Sequence, residues 1–120
     1  MAVETHHLTF PPKEEDIRKL KAGDIVYVTG EITSGAGLPT LERIRDLLDK
    51  GEKLPVDLRH GSLIHVPSYS RQKADGSYEI LYVNPTTSTR FNAYMPGLIR
   101  DLKLRVTGGK GGLNAEATRA

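Results

Sequence analysis

Short helical patterns that alternate with strand-like runs predict a mixed α/β domain. Three observations carry the prediction. Leu41, Ile44, Leu47 and Leu48 fall at i, i+3, i+6 and i+7, a single apolar stripe on a helix over Thr40 to Lys50. Asp24 to Ile32 (DIVYVTGEI) and Tyr78 to Val83 (YEILYV) are rich in the β-branched and aromatic residues that pack well on a pleated surface. The two patterns interleave along the chain instead of segregating into an all-helical and an all-strand part.

The elements follow in order. The first dozen residues end in Phe10-Pro11-Pro12 and read as an extended lead-in. Lys13 to Leu20 reads as a short helix, with Ile17 and Leu20 three apart on one face. Lys21-Ala22-Gly23-Asp24 turns into the apolar run Asp24 to Ile32, expected to be a buried strand. Thr33 to Leu38 is a loop, Pro39 suits the first turn of the next helix, and Gly51 suits its stop. Strands are expected at Ser62 to Val66 and Tyr78 to Val83, joined by a polar loop whose Asp75-Gly76 pair signals a hairpin turn. Asn84 to Arg90 carries four hydroxyls and no aliphatic residue, so it is a loop. Tyr94 to Leu102 is helical with Pro96 near its start, Leu104 to Thr107 is a short strand, and Gly108 to Gly112 is a turn. Asn114 suits the cap of a last helix of about two turns, which needs packing to be stable. The ending at Ala120 reads as C-terminally shortened.

Composition bounds the function. The 120 residues are expected to form a single domain, residues 1–120, with one core. The net charge is +2, with both signs mixed along the chain, which argues against a phosphate-tracking nucleic-acid surface. Two Phe and no Trp leave little for base stacking. No apolar run reaches the ~18 residues of a membrane span. Met1 to Phe10 lacks the pattern of a secretion signal, so a cytoplasmic protein is expected. Cysteine is absent, which removes disulfides, thiol nucleophiles and the thiolates that hold iron–sulfur clusters.

Two loops carry the chemistry. Asn84-Pro85-Thr86-Thr87-Ser88-Thr89-Arg90 and Gly108-Gly109-Lys110-Gly111-Gly112 each follow an expected strand and precede an expected helix. Backbone N–H groups at such places favour anions. Arg90 can grip a carboxylate with two parallel hydrogen bonds, and the glycines beside Lys110 let backbone come close to a ligand. Together they suit a small carboxylate or phosphate. Each loop alone also reads as an ordinary capped or flexible turn, and the lysine loop lacks the spacing of a P-loop. His6-His7 reads as an exposed pair in a frayed end. His60 and His65 lack a second ligand at metal-site spacing and read as structural, so no metal ligand is expected from this chain.

Several segments together resemble a known family. They are Asp16-Ile17-Arg18-Lys19-Leu20-Lys21-Ala22-Gly23-Asp24-Ile25-Val26, then Leu54-Pro55-Val56-Asp57-Leu58, Pro85-Thr86-Thr87-Ser88-x-Arg90, Tyr94-x-Pro96 and Gly109-Lys110-Gly111. In this order, over residues 8 to 118, the chain resembles the β subunit or C-terminal portion of class I iron–sulfur fumarases and L-tartrate dehydratases. The resemblance implies a swivelling β/β/α domain, a mixed sheet with flanking short helices, that closes over a cluster-bearing α subunit in a hetero-oligomer. It implies a hydro-lyase that reversibly hydrates or dehydrates a small dicarboxylic acid, fumarate/malate- or tartrate-like. The partner, not this chain, would hold the [4Fe–4S] cluster, whose iron without a cysteine ligand acts as a Lewis acid. By the same match, Thr86 is the catalytic candidate for proton transfer at carbon. Thr87 would hydrogen-bond the substrate, Arg90 would clamp a carboxylate, and Lys110 would hold negative charge.

The sequence departs from the family pattern at named places. Asn84 stands where Gly usually precedes Pro-Thr-Thr, and Phe91-Asn92 replaces Met-Asp. Ser34 to Leu38 carries no charge where the family has an Arg-Asp pair, and Pro67-Ser68-Tyr69-Ser70 replaces Gly-Pro-x-Pro. The uncharged loop also admits a second expectation, a non-catalytic anion-binding or regulatory module on the same fold.

Overall fold

The computed structural model describes residues 2–120. The chain runs through β1 (Thr5–Phe10), α1 (Glu14–Ile17), β2 (Ile25–Gly30), β3 (Thr33–Ser34), α2 (Leu38–Asp49), β4 (Ser62–Ile64), β5 (Ser68–Gln72) and β6 (Tyr78–Val83). A 3-10 turn (Ser88–Phe91), α3 (Met95–Leu102), β7 (Val106–Gly108) and α4 (Ala115–Arg119) follow. The mixed α/β character is observed. The strands, however, form three small sheets and not one mixed sheet. β1 and β2 pair in parallel, β3, β4 and β7 form a parallel sheet with β4 central, and β5 and β6 make an antiparallel hairpin.

The core lies where the helices meet the central sheet. Leu41 of α2, Leu63 of β4, Phe91 of the 3-10 turn, Met95, Leu98 and Leu102 of α3, and Ala117 of α4 are buried together with Leu58. The α2 stripe read from the sequence is the buried face: Leu41 is fully enclosed and Ile44 and Leu48 pack against the cluster. Pro39 stands in the first turn of α2, as expected. α3 packs on α4, and the Asn114 side chain caps α4 by accepting the Ala117 N–H at 3.0 Å. Across the helices, Arg45 of α2 pairs with Asp101 of α3 at 2.8 Å. No described helix is long and apolar enough to cross a membrane.

Several expectations need correction: the helix expected over Lys13 to Leu20 is the single turn α1, and the loop expected over Thr33 to Leu38 begins in β3, which pairs with β4. The strand expected to be buried, β2, is largely exposed: Ile25, Tyr27 and Val28 keep about half or more of their surface open. Its only strand neighbour among the described residues is β1, and Tyr27 stacks on His7 at 5.2 Å between ring centroids. The extended lead-in is a true strand, β1, whose Leu8 and Phe10 are buried, so His6 and His7 sit in a sheet and not in a frayed end. The polar loop before Asp75-Gly76 contains a strand, β5, so the hairpin joins β5 to β6 and not β4 to β6. The sequence Ser68-Tyr69-Ser70-Arg71-Gln72 has one apolar residue and no strand signal of its own. Pairing with β6 is what orders it.

Candidate functional site

The parallel pairing of β4 with β7 puts the carboxyl ends of both strands side by side. In open parallel sheets that edge is where ligands bind. β7 leads directly into the Gly108 to Gly112 turn, and β4 leads into His65. The hydroxyl loop after β6 returns to the same edge, where the Thr86 N–H donates to the His65 carbonyl at 2.8 Å. Two further backbone bonds tie the loops to each other. The Lys110 N–H donates to the Thr86 carbonyl at 2.9 Å, and the Ser88 N–H donates to the Gly111 carbonyl at 2.9 Å. The two loops singled out from the sequence are therefore one structure.

Glycine makes this closeness attainable. A Cβ on Gly109 would collide with Ser88 Oγ and lie 3.0 Å from the Thr86 carbonyl oxygen, closer than a side chain tolerates. Gly112 has φ of +96°, a region L side chains rarely adopt, and a Cβ there would collide with Thr89 Oγ1. Asn92 closes the other side. Its Nδ2 donates to the Gly112 carbonyl at 2.8 Å, and its Oδ1 accepts the Asn114 N–H at 3.0 Å.

The side chains give the site its character. Arg90 Nη2 donates to Thr86 Oγ1 at 3.0 Å, and the guanidinium carbon lies 5.6 Å from the Phe91 ring centroid. Arg90 thus sets a cationic donor directly on the Thr86 hydroxyl oxygen. Thr86 and Thr87 are half-buried, while Arg90 and Lys110 are exposed. Among the described residues, no salt bridge engages Arg90 or Lys110, and no side-chain hydrogen bond engages Thr87. Positive charge held in no salt bridge, beside the Thr87 hydroxyl, is an arrangement that suits a small anion.

His65 is structural, as the sequence reading has it, and the fold gives it specific partners. Its side chain is fully buried, and Nδ1 lies 2.8 Å from Ser88 Oγ. Its ring meets Phe91 edge-on at 4.5 Å, and its own N–H donates to the Gly108 carbonyl at 2.7 Å. Burial holds its pKa below the ordinary histidine value, so the ring is kept neutral. No local pattern marks this role, because Ser88 is 23 positions away. Of the other histidines, His6 Nε2 bonds Asp24 Oδ2 at 2.9 Å. The same carboxylate oxygen accepts the Lys21 N–H at 2.9 Å, and that bond chiefly holds the carboxyl below its usual range.

The uncharged stretch Ser34 to Leu38 begins in β3, the edge strand of the central sheet, and continues along β4. Ser34 Oγ donates to the Val66 carbonyl, and the Gly35 N–H donates to the Ile64 carbonyl at 3.0 Å. It brings polar backbone but no ionic group to this edge.

Comparison with known proteins bears on the same residues. Residues 2–120 match the family model described as Fumarase C-terminus. The chain is 34% identical over 103 residues to a protein of Methanocaldococcus jannaschii provisionally named L(+)-tartrate dehydratase subunit beta, covering 86% of this chain and 52% of that one. It is 29% identical over 106 residues to the L(+)-tartrate dehydratase subunit beta of Escherichia coli (strain K12), covering 88% of this chain and 50% of that one. A Geobacillus stearothermophilus protein provisionally named class I fumarate hydratase is 31% identical over 116 residues, covering 94% of this chain and 21% of that one. The chain thus spans about half the length of the tartrate dehydratase subunits it matches.

Proposed function

The chain belongs to the fumarase C-terminus family, and from that membership we propose that it is the β subunit or C-terminal domain of an iron–sulfur hydro-lyase. Its residues 1–120 act as a single swivelling β/β/α domain. The reaction is the reversible hydration or dehydration of a small dicarboxylic acid, fumarate/malate- or tartrate-like. The names of the relatives support the reaction class.

The observation that carries the reading is the convergence on Thr86. The Arg90 guanidinium donates to its hydroxyl, and the Lys110 N–H donates to its carbonyl. A diacid set against this edge would have one carboxylate gripped by Arg90, its charge offset by Lys110, and a hydrogen bond from Thr87. The Thr86 hydroxyl would then face the carbon that gains or loses a proton. The chain has no cysteine, so its residues do not suit a [4Fe–4S] cluster. A cluster-bearing α partner is therefore part of the proposal, and no step on the cluster is assigned to this chain. The exposed apolar side chains of β2 and β6 support a partner surface.

The test is turnover by the anaerobically purified complex with fumarate, malate and tartrate. Thr86→Ala should abolish turnover while leaving diacid binding largely intact. Wild-type turnover in that variant would refute the role of Thr86. A second reading, an anion-binding module without catalysis, is favoured by the loop at Ser34 to Leu38, which offers no ionic group. Diacid binding without turnover in the presence of the partner would select it. Turnover that Arg90→Ala abolishes would eliminate it.

A further inference from the structure

We propose that His65 is a positioning residue: through its ring nitrogen on Ser88 it holds the Thr86 loop in register with the Lys110 loop. The inference rests on the reading of those loops as the substrate face, and it adds a residue that the family match does not assign.

His65 touches both loops by separate bonds. Its carbonyl accepts the Thr86 N–H at 2.8 Å, and its N–H donates to the Gly108 carbonyl at 2.7 Å. Its Nδ1 bonds Ser88 Oγ at 2.8 Å. Backbone bonds of this kind suit any residue, whereas the third needs a side chain with a polar atom at the Nδ1 position. Ser88 is 1% exposed, and its hydroxyl and the His65 side chain fill the space that a Cβ on Gly109 would take, so the His65–Ser88 pair sits against the lysine loop. Moving Ser88 would move its neighbours Thr87 and Thr89 with it, and through Thr89 the start of Arg90.

Packing alone does not account for an imidazole here. Nε2 is buried and has no hydrogen-bond partner among the described residues. An unpartnered buried nitrogen is costly, and a leucine would fill apolar space without that cost. What the imidazole contributes is the bond to Ser88. Asparagine carries a polar atom near the Nδ1 position and can replace that bond, whereas leucine cannot.

The experiment is amide hydrogen exchange by NMR on the full chain, comparing wild type with His65→Leu, His65→Asn and Ser88→Ala. The same samples are titrated with L-malate. The reporters are the Thr86 and Lys110 amides, both bonded across the loops, with the Leu98 amide of α3 as a control for global opening. In His65→Leu and Ser88→Ala, Thr86 and Lys110 should exchange about tenfold faster with Leu98 unchanged. His65→Asn should return them to within about twofold of wild type. Unchanged protection in Ser88→Ala would overturn the proposal. So would an asparagine variant no better than leucine, or equal acceleration at Leu98, which would report lost packing. Should His65→Leu fail to fold, Ser88→Ala decides, because it removes only a hydroxyl. Weaker malate binding in the variants that lose protection would support the role further. If the complex with its partner binds no malate while the exchange pattern holds, the positioning role stands and the dicarboxylate reading falls.

Discussion

Arg90 and Lys110 are four and twenty-four residues beyond Thr86, yet both reach it, one by a guanidinium and one by a backbone N–H. A guanidinium presents a rigid fork to a carboxylate, and an ammonium presents a point charge. Arg90→Ala should therefore weaken L-malate or L-tartrate binding by about tenfold or more, and Arg90→Lys should recover only part of it. Isothermal titration checks this; equal affinity in Arg90→Ala would remove Arg90 from the site. His65 gives a pH prediction. Burial holds its pKa below the unfolded value, so the unfolded chain binds more protons in the interval between the two. Its contribution to stability is complete above the ordinary histidine pKa of about 6.5 and is lost as pH falls through the folded value. Denaturant titrations of wild type and His65→Asn across that range should diverge above the interval and converge below it. Thr86, Thr87, Arg90 and Lys110 could be singled out as candidates because each lies in a short contiguous motif. His65 could not, because its meaning depends on Ser88, placed beside it only by the fold.

At the scale of elements, local patterns worked where one face is buried and failed where pairing decides. The α2 stripe and the Asn114 cap were legible because burial and capping act within a few residues. β5 was hidden, since its order comes from a register with β6 and not from its own residues. β2 was recognised as a strand, but its burial was misjudged: apolar composition reports a preference for burial, not the presence of a covering element. Asn92 is the clearest case of an element held by one side chain, as it bonds both the Gly112 carbonyl and the Asn114 N–H. Asn92→Ala should cost about 1–2 kcal/mol in urea unfolding and loosen the start of α4. A loss near zero would show that solvent replaces both bonds. Leu41→Ala, which empties a fully buried position between α2 and the core, should cost about 2–5 kcal/mol by the same measurement.

For the whole molecule, the distribution of apolar surface matters most. The core is one cluster between the helices and the central sheet, while the β5–β6 hairpin leaves Tyr69, Tyr78, Ile80 and Tyr82 exposed, with Tyr69 and Tyr82 stacked at 5.3 Å. Tyr78 and Ile80 are 67% and 64% open, so replacing both by serine should change the stability of the isolated chain by no more than about 0.5 kcal/mol each. The same change should weaken capture of a partner that covers the hairpin, as read by co-purification. Mixed α/β architecture was legible from alternation along the chain. Its division into three small sheets was not, because strand pairing depends on which segments meet in space. The proposal joins this cysteine-free chain to a partner that holds the iron–sulfur cluster. Anaerobic affinity purification of the tagged chain from its native source, with iron and diacid turnover measured on the eluate, tests it most directly. A larger companion chain, about four irons per complex and turnover of a small dicarboxylic acid are expected. An iron-free chain that elutes alone and turns over no diacid would contradict the proposal.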